Sequence, residues 1–193
     1  LTYLPKIGKQ INKAKTMFAN AFKKHKYEGK YNYCYCTKSS HFSFIVEEAL
    51  KNDIHLETSY AYDIDIFKKL YAKKKVNKDT FVICNGYKQK PYTNRIAGLL
   101  NSGFKNVIPV LDNTEELRAY IKSVKVPFNL GIRVAADEEP NFPFYTSRLG
   151  IRAKDILEFY VDKIEGNEHR FQLKMLHIFL NKGIKDDIYY WSE

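Results

Sequence analysis

The chain has 193 residues, of which 45% are hydrophobic and 15% aromatic, enough to bury one core and too short for two large domains. Lys and Arg outnumber Asp and Glu by 32 to 22, a formal charge of +10. A basic nucleic-acid-binding module is therefore the non-enzymatic alternative, but the charge is dispersed and no compact nucleic-acid motif accompanies it, so no nucleic-acid partner is expected. Lys23, Lys24 and Lys26 close one helical stretch and Lys73, Lys74 and Lys75 another, where the helix dipole favours cations. Three cysteines, Cys34, Cys36 and Cys84, make neither an even-numbered disulfide framework nor a CxxC metal pair, which fits a reducing cytoplasm and no metal site. No apolar run approaches the ~20 residues that span a bilayer, so no membrane association is expected. The chain starts without methionine, in LTYLPK, and stops at YYWSE just after a periodic segment, so a piece of a longer protein is expected.

Ile7, Ile11, Ala14, Phe18, Ala21 and Phe22 recur at helical spacing and predict an amphipathic helix over 5–25. A strand follows at 31–36, and Ser39 and Ser40 offer an N-cap for a helix with Phe42, Ile45, Val46, Ala49 and Leu50 on one stripe. IHLE at 54–57 reads as a strand; Ile66, Phe67, Leu70 and Tyr71 mark the next helix, with Asp63 and Asp65 in its acidic first turn. FVICN at 81–85 and NVIPVL at 106–111 are buried strands, each followed by a helix, the second capped by Asp112, Asn113 and Thr114. FNLGIRVA at 128–135 is a fifth strand, followed by the irregular DEEPNFPFYTSRLG, a helix near 154–161, and a sixth strand, LKMLHIFL, at 173–180.

Strands alternating with helices every 25 residues or so imply a parallel sheet with right-handed crossovers. A doubly wound sheet normally carries a glycine-rich first turn, and the turn here is CTKSSHF. A (β/α)8 barrel takes about 250 residues, of which this chain would supply about six of the eight units. An incomplete TIM-like (β/α)8 barrel is the expected fold.

In such a barrel the chemistry sits at the C-terminal ends of the strands. Those ends deliver Lys38, then Glu57 and Ser59, Asn85 and Gly86, Asp112 and Asn113, Arg133, and His177 or Phe179. A lysine facing carboxylates, an arginine and a flat ring suits a charged, planar cofactor. Lys38 ends a run of tyrosines and cysteines, YNYCYCTK. Shielding of that kind, with other positive groups nearby, favours the neutral amine that condenses with an aldehyde. The aldehyde that supplies an electron sink absent from the twenty side chains is pyridoxal 5′-phosphate, PLP.

YCTKSSHFSFIVEEALK and IHLETSYAYDIDI resemble the lysine and second-strand segments of the PLP-dependent basic amino acid decarboxylases with an alanine racemase/ornithine decarboxylase-type barrel. FVICNGYKQKPY is similar to the ICNGYK-type motif of the biosynthetic arginine decarboxylases in that group, and LGIRVAADEEP and FYTSRLGI look like the next two blocks. The resemblance implies conversion of L-arginine to agmatine and CO2 in polyamine biosynthesis. Ornithine, lysine, diaminopimelate or carboxynorspermidine are the alternative substrates. It makes Lys38 the catalytic lysine that carries PLP, Glu57 and Asp63 the acidic positions beside the cofactor, and Arg133 an arginine lining it. Families of this fold place a histidine where its ring stacks on the pyridine; MLHIFLNKG offers Phe179 there, with His177 two residues earlier on the same face. The resemblance also implies that residues 1–193 are a partial PLP-binding barrel domain, and that the last barrel units, the phosphate loop and a C-terminal β-domain lie elsewhere. It further implies a homodimer or higher homo-oligomer of the full-length protein, and little activity for these residues alone.

Overall fold

A computed structural model describes residues 3–135 and 149–178. Its strands are β1 (Cys34–Cys36), β2 (His55–Thr58), β3 (Val82–Cys84), β4 (Val107–Leu111), β5 (Phe128–Ala135), β6 (Ile151–Arg152) and β7 (Phe171–Ile178). Helices α1 (Pro5–His25), α2 (Ser43–Leu50), α3 (Ala61–Ala72), α4 (Lys90–Asn101), α5 (Glu116–Ser123) and α6 (Ala153–Phe159) alternate with them, the last running into a π-helical turn at Tyr160–Ile164.

All the strand pairs are parallel, and β1 to β5 lie side by side in chain order. A doubly wound sheet would reverse that order at a switch point. On β5, Ile132 pairs with both Leu111 and Leu176, and Val134 with both Ile151 and Ile178. A residue has one partner on each edge, so β7 lies along the edge of β5 opposite β4, and the two-residue β6 continues the β4 edge. The order β1-β2-β3-β4-β5-β7 gives six staves, with β6 a short addition that the sequence pattern does not announce.

The sheet curls. Strands β2 and β7 are four strand spacings apart, about 19 Å in a flat sheet. Yet Glu57 on β2 and His177 on β7 approach to 3.8 Å between Oε2 and Nε2. Inside the curl Ile83, Ile108 and Val110 pack with Cys34, Phe81 and Met175. Outside it, Leu56, Val82, Val107, Leu111, Leu130 and Ile132 pack under the helices with Phe67, Ile96, Leu99 and Tyr120. These neighbours in sequence fall into different cores because the strand period is two, and both faces being apolar gives the unbroken hydrophobic runs of buried parallel strands. Gly131 faces the interior, where a Cβ would sit 3.2 Å from Val110 Cγ2 and 3.3 Å from Met175 Cβ.

A β-bulge sets the facing of β7. Phe171 and Leu173 pair with Phe128 and Leu130 on the helix side, then the register skips Lys174, so that Met175 and His177 pair with Gly131 and Arg133 on the inner side. Strict alternation from Leu173 would have turned His177 outward; one unpaired residue re-aims it.

Two local expectations are corrected. Helix α2 has Phe42 as its N-cap, without a side-chain cap, so Ser39 and Ser40 do not cap it. Ser39 N instead closes a turn onto Cys36 O at 3.1 Å, and Ser40 O accepts from Tyr35 Oη at 3.0 Å. Phe42 leaves the expected stripe and stacks, exposed, on Phe44, while Val46 and Ala49 are buried. At α5 the cap comes from Asn113, whose Oδ1 accepts from Glu115 N and Glu116 N at 3.1 and 3.2 Å. Most of the DEEPNFPFYTSRLG stretch lies outside the described residues.

Candidate active site

The C-terminal ends of β1, β2, β3, β5 and β7 open onto one cleft of about 1410 Å³, lined among others by Cys36, Lys38, Glu57, Asn85, Arg133 and His177. Of the expected residues, Lys38, Glu57, Arg133 and His177 therefore meet, delivered by four different strands. Phe179 lies outside the described residues.

Lys38 stands in the turn that leaves β1. Thr37, buried, holds that turn to β2 through two bonds to Glu57 O, from its amide at 3.0 Å and from Oγ1 at 3.1 Å. The expected shielding of Lys38 by tyrosines and cysteines is not found: the side chain is exposed at the mouth of the cleft. The reason is geometric. Tyr35 points to the helix side and the half-buried Cys34 packs against the inner cluster, so neither that ring nor that thiol covers a residue two positions beyond the strand.

Glu57 is the best-connected group. Its Oε1 accepts from Asn85 Nδ2 at 3.2 Å and lies 3.8 Å from Cys36 Sγ; its Oε2 lies 3.8 Å from His177 Nε2, an ion-pair distance rather than a hydrogen bond. Burial pushes the carboxyl up, but the His177 ring, Asn85 and Cys36 outweigh it and hold it below the usual carboxylate range. Across the cleft Arg133 Nη1 lies 3.7 Å from Asp112 Oδ1. Burial pushes the Asp112 carboxyl up, against the pull of Arg133, Lys88 and His177. The cysteines are poor nucleophiles: burial raises the Cys34 and Cys84 thiols to about 11 and also raises Cys36.

Asp63 is corrected in role. It is buried and does not line the cleft; its Oδ2 accepts from Ser59 N and Tyr60 N at 2.9 and 3.1 Å, capping α3. Ser59 and Gly86 do line the cleft. Sequence reasoning missed Lys88, whose side chain is fully buried behind the site; its place in NGYK, two residues past a glycine with φ of +79°, was the available signal. Among the described residues no helix is long and apolar enough to cross a membrane, and no three His, Cys, Asp or Glu gather as a metal site.

The arrangement offers a primary amine, an ionised carboxylate, a guanidinium and an imidazole around one open cleft. Asn85 Oδ1 and His177 Nδ1 are buried there with no hydrogen-bond partner among the described residues. This donor set fits a polar aromatic aldehyde such as PLP on its ring and aldehyde side.

A parallel sheet in chain order, curled so that the ends of β1, β2, β3, β5 and β7 share one cleft, defines an α/β protein of the TIM-barrel type, incomplete over these residues. No protein-family model matches the chain. It resembles the biosynthetic arginine decarboxylases. It is 26% identical to that of Shewanella piezotolerans over 188 residues, covering 91% of this chain and 29% of the relative. It is 24% identical to that of Phocaeicola vulgatus, with 92% and 29% covered. The chain thus spans under a third of the curated relatives it matches. Among solved structures it is similar to a mutant diaminopimelate decarboxylase from Helicobacter pylori complexed with L-lysine, with a TM-score of 0.61. That match has 15% identity and covers 87% of this chain and 43% of the other, a likeness of fold.

Proposed function

We propose that this chain forms the lysine-bearing part of a PLP-dependent decarboxylase of basic amino acids. Its substrate is L-arginine, its products are agmatine and CO2, and its setting is polyamine biosynthesis in the cytoplasm. One observation carries the reading: Lys38, Glu57, Arg133 and His177, from four separate strands, line a single cleft. The arginine assignment rests on the relatives' names and the ICNGYK-type segment. Lys38 would hold the cofactor covalently, with Glu57, Arg133 and His177 beside its ring; bound PLP supplies a sink for the electron pair left when the bond to the carboxylate breaks. Thr37 fixes the turn that presents the Lys38 amine. Asn85 and His177 keep Glu57 anionic, so a fixed negative charge stands within reach of a cationic ring or substrate ammonium. The solvent-facing mouth lets a small amino acid reach the amine. Residues 1–193 are a partial barrel domain, and the complete protein, closed by further barrel units and a C-terminal β-domain, works as a homodimer or higher homo-oligomer.

The test is to express the chain with its downstream sequence, reduce it with borohydride and map the pyridoxyl-lysine peptide, which should contain Lys38. CO2 release is then followed with arginine, ornithine, lysine and diaminopimelate. A pyridoxyl group on Lys88 overturns the site; faster turnover of any other substrate overturns the arginine assignment.

A further inference from the structure

Directly behind the cleft lies a lysine that the proposed chemistry does not use. The Lys88 side chain is 0% exposed, and its ammonium donates to Gly86 O at 2.8 Å, to Glu116 Oε2 at 3.1 Å and to Val110 O. Three protons meet three acceptors, so the group is saturated. The acceptors belong to three places in the fold: Gly86 follows the end of β3, Val110 is the penultimate residue of β4, and Glu116 opens α5. Glu116 Oε2 also accepts from Asp112 N at 3.2 Å. One cation thus ties two neighbouring strand ends and a helix start together just below the mouth.

Each tied strand end carries one side chain that touches a residue of the cleft. Asn85, next to Gly86, donates to Glu57, and Asp112, anchored by its amide to Glu116, faces Arg133. Replacing a buried ion pair by apolar residues of similar volume is often neutral or stabilising, so stability alone does not account for an ammonium here. Its directional bonds do something an apolar chain would not: they set the spacing of carbonyls on two strands. We propose that Lys88 is a positioning residue, locking the ends of β3 and β4 where Asn85 reaches Glu57 and Asp112 stands beside Arg133. This stands on the geometry of the chain alone and does not depend on the cofactor or substrate proposed above.

The experiment uses the chain expressed with its downstream sequence and the double variant Lys88→Met with Glu116→Leu, which removes both buried charges together and so avoids stranding either. The readout is the NMR titration of the Glu57 carboxyl carbon and the Asn85 side-chain amide, with Asn85→Ala made in both backgrounds. The double variant is expected to fold, to titrate Glu57 at higher pH than the parent chain, and to show no further shift when Asn85→Ala is added, whereas Asn85→Ala shifts it in the parent. An unchanged Glu57 titration in the folded double variant overturns the proposal, as does a further shift on adding Asn85→Ala. A double variant that does not fold overturns it too, since the pair would then hold the fold rather than place two side chains.

Discussion

His177→Gln tests whether β2 and β7 meet inside the curl, because it keeps the polarity and approximate size of the side chain and removes the imidazole that faces Glu57. The two groups are 3.8 Å apart, with side chains 15% and 23% exposed. At an effective dielectric near 20, Coulomb's law caps the attraction at about 4 kcal/mol. Burial of Glu57 works against it, leaving about 1–3 kcal/mol, between the roughly 0–1 kcal/mol of an exposed ion pair and the roughly 3–5 kcal/mol lost when a buried one is broken. The sign follows from the carboxyl, held below its unfolded value. Its contribution is present above the unfolded carboxyl value of about 4.3 and is lost as pH falls through the lower folded value. Urea unfolding from about pH 6 down to about pH 2 should show the variant less stable by that amount at the upper end, the two curves converging in acid. Asn85 and Cys36 still act on the Glu57 carboxyl in the variant, so part of its acid dependence remains. A constant gap across the range, or none, would refute the pairing and with it the curl that brings four strand spacings to one contact.

An amine-acylating reagent applied to the folded chain should label Lys38 at the mouth and spare Lys88 by at least about tenfold, since labelling Lys88 needs local opening; equal labelling in peptide maps would contradict the burial of Lys88. Thr37→Val keeps the shape of the buried side chain but deletes the Oγ1 bond to Glu57 O, and should cost about 1 kcal/mol in urea melts. It should also speed exchange of the Ser39 amide that closes the Lys38 turn, and an unchanged exchange rate would show that Thr37 does not hold it.

Element type and order were legible in the sequence because hydrophobic period is a local property. Alternating helix stripes and short apolar runs marked out six strands, and the ends of those strands named Lys38, Glu57, Arg133 and His177 before any contact was known. The family resemblance agrees with the order and with the fold of the similar solved structure. What period does not carry is the third dimension of each end. Asp63 reads as a first-turn acid whether it faces a ligand or caps its own helix, and the backbone amides of Ser59 and Tyr60 decided for the cap. Lys38 reads as shielded by its sequence neighbours, but period two sends Tyr35 to the opposite face and leaves the turn open. The inward aim of His177 depends on one unpaired residue, Lys174, a matter of register between strands more than 40 positions apart. The burial of Lys88 depends likewise on carbonyls and a carboxylate contributed by three places in the fold. Sequence alone determined the order of the strands and which residues follow them; pairing between distant strands decided that Lys38, Glu57, Asn85, Arg133 and His177 line one cleft while Asp112 stays behind it, paired with Arg133.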